Sequence, residues 1–133
     1  MNKKVVFGAR TILGLIFLVF GLNGLLMILT GTGFIPMPAP SEKMMAVMGG
    51  LFAAGYLMPL VKVLEIVGGA FLLSNRYVPL ALALLAPIMV NIIGLHLFAE
   101  PSALPMGATM TVLMGILLAD NWSSFRPLLV AKK

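Results

Sequence analysis

Between Arg10 and Glu42 the chain carries no charged residue, and Thr11–Leu29 is almost wholly apolar. A run of that length matches the roughly 20 residues a helix needs to cross a bilayer. Asn2-Lys3-Lys4 ahead of it also fits the start of a secretory signal peptide. The apolar part of a signal peptide is shorter, about 7–15 residues, and ends in a small-x-small site. This run is longer and opens into Gly31-Thr32-Gly33-Phe34-Ile35-Pro36, so a retained first span is expected.

The rest of the chain agrees. Of its 133 residues 61% are hydrophobic and only 10% charged, whereas a soluble domain carries about a quarter charged residues. One membrane domain is expected at this length. With no cysteine, disulfides, thiolate zinc sites and iron–sulfur ligation are excluded.

Gly31–Pro40 holds Pro36, Pro38 and Pro40 and reads as an extended loop. From Met44 to Asn75 the only charges are Lys62 and Glu65. One helix over that stretch would be about 48 Å long, against a hydrocarbon core of about 30 Å, and two spans would need about 40 residues. The break at Gly55–Pro59 resolves this into a short helix at about 41–55 and a span at 59–74. Ser41 is the expected N-cap of the short helix, which lies at the interface or part-way in. Spans are expected at about 9–29, 59–74, 78–98 and 105–120, with Pro87 as a kink point in the third. The expected fold is all-α: an integral membrane four-helix bundle with one extra short helix between spans 1 and 2.

Four spans return both termini to one side, together with Lys3, Lys4, Arg10, Arg76, Arg126, Lys132 and Lys133. The other side keeps Lys43 against Glu42 and Glu100. The positive-inside rule then predicts cytoplasmic termini. The net charge of +5 reads as orientation; nucleic-acid binding is not expected from positive residues so few and so dispersed. Asp120-Asn121-Trp122 reads as an interfacial ending with the only tryptophan as anchor.

Ionisable groups at membrane depth are costly and usually face a bundle interior. Lys62 and Glu65 are three residues apart, on one helix face, where they can neutralise each other. At 1.5 Å per residue, Asn23 lies about 20 Å from Arg10, and Lys62 and Asn91 about 21 and 22 Å from Arg76. Glu65 lies about 16 Å from Arg76, and Thr109 and Thr111 about 16 and 14 Å from Asp120. Each span thus offers a polar residue to one slab. Two readings follow: interhelical hydrogen-bonding glue, or a ligand site with Lys62 and Glu65 at its centre and Asn23, Asn91 and His96 around it. His96, with Glu100 four residues on, suits capping or interfacial hydrogen bonding. A single histidine does not supply the usual axial pair for haem, and two such groups make a weak metal site. Methionines, eleven in all, read as pliant filler rather than copper ligands. Gly21 with Gly24, Gly49 with Gly50, and Gly68 with Gly69 read as packing contacts. No catalytic triad, phosphate loop or nucleotide fingerprint is present. No catalytic residue, metal site or covalent cofactor is expected, nor activity from the isolated chain.

Three segments carry a resemblance. They are Ala9-Arg10-x-x-x-Gly14-x-x-Phe17-x-x-x-Gly21-x-Asn23, Glu65-x-x-Gly68-Gly69-x-x-Leu72-Leu73 and Arg76-Tyr77-Val78-Pro79-Leu80-Ala81. Together they resemble the DoxX family of small four-span bacterial membrane proteins, over nearly the whole chain, the Glu-x-x-Gly-Gly segment being the most distinctive. The resemblance implies a four-helix bundle of the bacterial inner membrane, associated with quinone-linked or other redox assemblies. The leading expectation is a small subunit of, or accessory to, such an assembly, with quinone or lipid as ligand near Glu65 and Lys62. The alternatives are a structural or assembly partner of another membrane protein, a homo-oligomer included, and a small-molecule or proton permease.

Overall fold

A computed structural model describes residues 1–132. Lys133, counted above on the expected cytoplasmic side, lies outside the described residues. The elements are α1 (Lys3–Thr30), α2 (Glu42–Ala53), α3 (Leu57–Ser74), α4 (Val78–Phe98), α5 (Leu104–Asp120) and the single-turn α6 (Trp122–Phe125). Short 3-10 turns occupy Pro101–Ala103 and Arg126–Leu129. Four helices, ending in α5 with the turn before it, are long and apolar enough to cross a membrane. The chain is an all-helical, multi-pass membrane bundle.

Local sequence sets the helix ends. Proline stands in the first turn of α3 (Pro59), α4 (Pro79) and α5 (Pro105), where its missing N–H leaves no helical bond unmade. Asn2 caps α1 by accepting from the Lys4 N–H at 2.8 Å, so α1 begins well before residue 9. The apolar run marks the part of that helix in hydrocarbon, not its ends. At 28 residues α1 is about 42 Å long and overshoots a 30 Å core. It stops at Gly31, whose φ of 82° closes an αL cap with its N–H on the Met27 carbonyl.

Ser41 Oγ accepts from the Met44 N–H and starts α2. The α3–α4 turn is tight, with Asn75 and Tyr77 both at positive φ. Asn tolerates that region; Tyr is disfavoured there, and its ring packs on Phe71 at 5.2 Å between centroids.

Around the bundle the spans neighbour one another in the order α1, α3, α4, α5 and back to α1. Phe17, Leu13, Leu72, Leu82, Leu85 and Leu117 are sealed at its centre, with Met89, Met110 and Met114 beside them. Large apolar side chains such as Val90 and Val112 point outward, as a lipid-facing surface requires. α2 stands apart, with no buried residue and its main contact on α3.

Candidate functional site: a strap-walled cleft over an ion pair

The site begins with how closely α1 and α3 approach. A Cβ on Gly69 would lie 2.6 Å from the Leu18 nitrogen and 2.8 Å from the Gly14 carbonyl oxygen. Backbone therefore meets backbone, which only glycine allows. One turn on, Gly21 faces Glu65 and Ile66. Further along, a Cβ on Gly24 would meet Lys62 Cε at 2.6 Å. The aliphatic stem of Lys62 thus lies across Gly24, an amphipathic side chain laid on apolar surface. Gly68, beside Gly69, takes Leu85 of α4 instead. Gly49 and Gly50 meet nothing within 4 Å. The packing contact expected of this pair is absent, because α2 stands off from the bundle.

Laid over Gly24, Lys62 places Nζ 3.0 Å from Glu65 Oε2. This is the only ion pair among the described residues. The Glu65 side chain is 6% exposed and that of Lys62 20%, so the carboxylate is inside and the ammonium at the mouth. Oε1 of Glu65 and the remaining Nζ donors take no partner among the described residues.

Lys62 and Glu65 line a cleft of about 490 Å³. Its walls are Ile16, Phe17 and Phe20 of α1, Ile92 and His96 of α4, Ala103 and then Met106 and Met110 of α5. The remaining wall is the loop, through Ile35, Pro36, Met37 and Pro38. It is an apolar slot whose charge is confined to one pair.

The loop is a strap tied at both ends. Asn23, 3% exposed, accepts through Oδ1 from the N–H groups of Phe34 at 2.8 Å and Ile35 at 3.0 Å. Gly33 lies so close to this amide that a Cβ there would overlap it. At the far end Glu100 Oε2 accepts from the Ser41 N–H at 2.6 Å, and Ser41 Oγ donates to the Ala99 carbonyl at 2.7 Å. The Ser41 backbone N–H holds the Glu100 carboxyl below its ordinary range, against the opposing effect of desolvation; the Ser102 hydroxyl helps.

The structure therefore gathers Lys62, Glu65 and His96 on one cleft and sets Asn23 behind its wall. Asn91 does not join them. It is exposed and donates to Pro87 O of its own helix at 2.9 Å. Thr109 and Thr111, also exposed, likewise bond carbonyls one turn back, Pro105 and Gly107. Residue counting gives depth but not rotation, and these three face outward rather than into the cleft. His96 does not hydrogen-bond Glu100, whose oxygens serve Ser41 and Ser102. Its Nδ1 is sealed without a partner against Gly107, where a Cβ would overlap the ring.

Three functional contacts were not read from the sequence. The strap ties of Asn23 and Glu100 carried only a weak cue, proline density between two polar residues. Arg10, read as an orientation charge, also places Nη1 2.5 Å from the Leu72 carbonyl and 3.3 Å from that of Leu73. It thereby caps the C-terminal end of α3, where a cation also complements the helix dipole. Among the described residues no three metal-binding His, Asp or Glu side chains converge. Neither a family model, a curated protein nor a solved structure matches this chain.

Proposed function

We propose that this chain is a DoxX-like protein of the bacterial inner membrane, its termini cytoplasmic, serving as a small subunit of or accessory to a quinone-linked redox assembly. In this reading the strap-walled cleft holds a quinone headgroup. The observation that carries it is one ion pair, with unused donors and acceptors, at an otherwise apolar cleft of about 490 Å³. That size falls within the range of small-molecule sites. A quinone is a flat apolar ring with two carbonyl acceptors. Lys62 Nζ has donors left after Glu65, and His96 can donate from its ring. Glu65 orients the ammonium and keeps it in the slot. Such a site binds and positions; it contains no nucleophile and base in contact.

The test is quinone recovered with the purified protein, quantified by extraction and mass spectrometry. Glu65→Gln keeps the shape and removes the charge that holds Lys62, so occupancy is expected to fall severalfold. Occupancy equal to the parent's would remove the cleft assignment.

A second reading, an assembly partner for another membrane protein, is favoured by α2. Its residues are all at least partly exposed, with Met45 and Phe52 prominent, so the chain itself leaves this helix largely uncovered. Cross-linking from α2 in native membranes tests it; a lone, unlinked chain counts against it.

A further inference from the structure

At the other end of the bundle, α1's first turns, the α3–α4 turn and the last residue of α5 enclose a second cleft of about 330 Å³. Lys3, Phe7, Arg10, Asn75 and Asp120 line it. Its charges stand where the helix dipoles oppose them. Lys3 and Lys4 occupy the first turn of α1, with no acidic residue there. Asp120 ends α5, with no basic residue in its last turn. Helix N-termini favour anions and C-termini cations.

The charges do not satisfy one another. Asp120 shares the cleft with Lys3 and Arg10, yet forms no ion pair with either. Arg10 offers only Nη1 to the α3 carbonyls, and its other N–H groups take no partner among the described residues; its guanidinium lies 5.5 Å from the Phe7 ring centroid. The Asn75 side chain makes no hydrogen bond among the described residues. Trp122, two residues past Asp120 and half exposed, sits as interfacial aromatics do at the headgroup level.

We propose that this cleft binds the headgroup of a zwitterionic aminophospholipid of the phosphoethanolamine type. The phosphate lies against Lys3 and the remaining guanidinium N–H groups of Arg10, at the positive end of α1. The ammonium lies against Asp120 at the negative end of α5, with the Asn75 carbonyl as a further acceptor. Exposed Val5 and Phe7 give the acyl chains an apolar flank. Both charges of the ligand are needed. A simple anion would leave Asp120 facing negative charge, and a simple cation would face Lys3 and Arg10. A trimethylammonium group has no N–H to donate to the carboxylate.

The full chain in mild detergent is offered equal amounts of dioleoyl phosphatidylethanolamine, phosphatidylcholine and phosphatidylglycerol, and bound lipid is read by native mass spectrometry. Phosphatidylethanolamine is expected to be retained above the other two. Asp120→Asn is expected to lower its retention about fivefold, the loss of one interfacial ion pair, without lowering phosphatidylglycerol. Asp120→Glu restores the preference, and Lys3→Gln weakens both lipids. Arg10 is left intact because it caps α3. Equal retention of the three lipids overturns the proposal. So does a preference for phosphatidylglycerol, or a phosphatidylethanolamine preference that survives Asp120→Asn.

Discussion

The α1–α3 seam and the α4–α5 face carry the same residue types to opposite ends. On the seam, Gly14, Gly21 and Gly69 bring two backbones together, Asn23 is buried, and an ion pair lies between the helices. On the other face, Gly94 and Gly115 meet nothing within 4 Å and only Gly107 takes a neighbouring side chain, the His96 ring, while Asn91, Thr109 and Thr111 turn outward and bond their own helices. The packing between α4 and α5 is made by bulky side chains, Leu82, Leu85, Met89, Met110 and Met114 among them. The difference teaches what makes a polar residue useful inside a bilayer. Beside the seam's glycines, Asn23 reaches the loop and the Lys62 stem lies on Gly24 to meet Glu65 of its own helix; beside Gly107 the His96 ring is admitted, but its Nδ1 finds no partner among the described residues. Where large side chains hold the helices apart, the cheapest acceptor is the carbonyl one turn back.

The sharpest way to break this contrast is to unbalance the seam's charge. Lys62→Met removes one partner of a buried pair, a change that costs about 3–5 kcal/mol in well-buried cases. Lys62→Met with Glu65→Leu is expected to recover most of that loss, since replacing both charges by apolar groups is often neutral. Unfolding in mixed detergent measures both. A double variant as unstable as the single one would show that the pair's charge is not what the seam depends on.

Next in size is the glycine contrast. Gly69→Ala forces a Cβ onto the Leu18 nitrogen and the Gly14 carbonyl. Backbone cannot rotate away, so the loss is expected near the upper end of the usual overpacking cost, about 1–3 kcal/mol. Gly115→Ala, at an open position of α5, should instead stabilise by about 0.5–1 kcal/mol through the unfolded chain's lost freedom. Thermal unfolding of the two variants in one detergent compares them directly. Equal destabilisation would erase the distinction between seam and face.

The two asparagines give a smaller effect. Asn23→Ala leaves the Phe34 and Ile35 N–H groups without an acceptor, about 1–3 kcal/mol if they stay sheltered. The expected response is that the strap opens to water, seen as faster proteolysis and hydrogen exchange over residues 31–40. Asn91→Ala loses one exposed bond to its own helix and should leave both readouts unchanged. Matching behaviour would mean Asn23 does not hold the strap.

These contrasts also explain how far the molecule was legible in its sequence. The four spans and the short α2 follow from lengths of uncharged chain and from Gly and Pro positions, because hydrocarbon thickness and proline's missing N–H act locally. The Lys62–Glu65 pair was legible for the same reason, being three residues apart on one helix. Rotation was not. α4 is apolar on every side, so nothing in its pattern marks which face carries Asn91. Gly24 as the bed for Lys62 and Asn23 as the clamp for residues 34 and 35 depend on the antiparallel register of α1 with α3 and on the strap's path. Both are set by tertiary packing that no local pattern encodes. The same holds for Arg10, whose acceptors on α3 are more than sixty residues away in the chain.

The strap's two ties should differ in their response to pH. Asn23 does not titrate, whereas the Ser41 N–H lowers the Glu100 carboxyl below its unfolded value. A carboxyl depressed on folding contributes stability that is complete above its unfolded pKa and is lost as pH falls through the lower folded value. Between pH 5 and 8 the Ser41 end is therefore expected to be pH-independent. As pH falls through the lowered Glu100 value, hydrogen exchange should quicken first around residues 38–44, while Phe34 and Ile35 keep their protection. Glu100 is at the surface, so the change is a local loosening rather than loss of the fold. Glu100→Gln removes the titrating group and should abolish the dependence, with the Ser41 end already loosened at neutral pH. If exchange at both ends quickens together, the strap opens as one unit, and Asn23 and Glu100 are not independent ties.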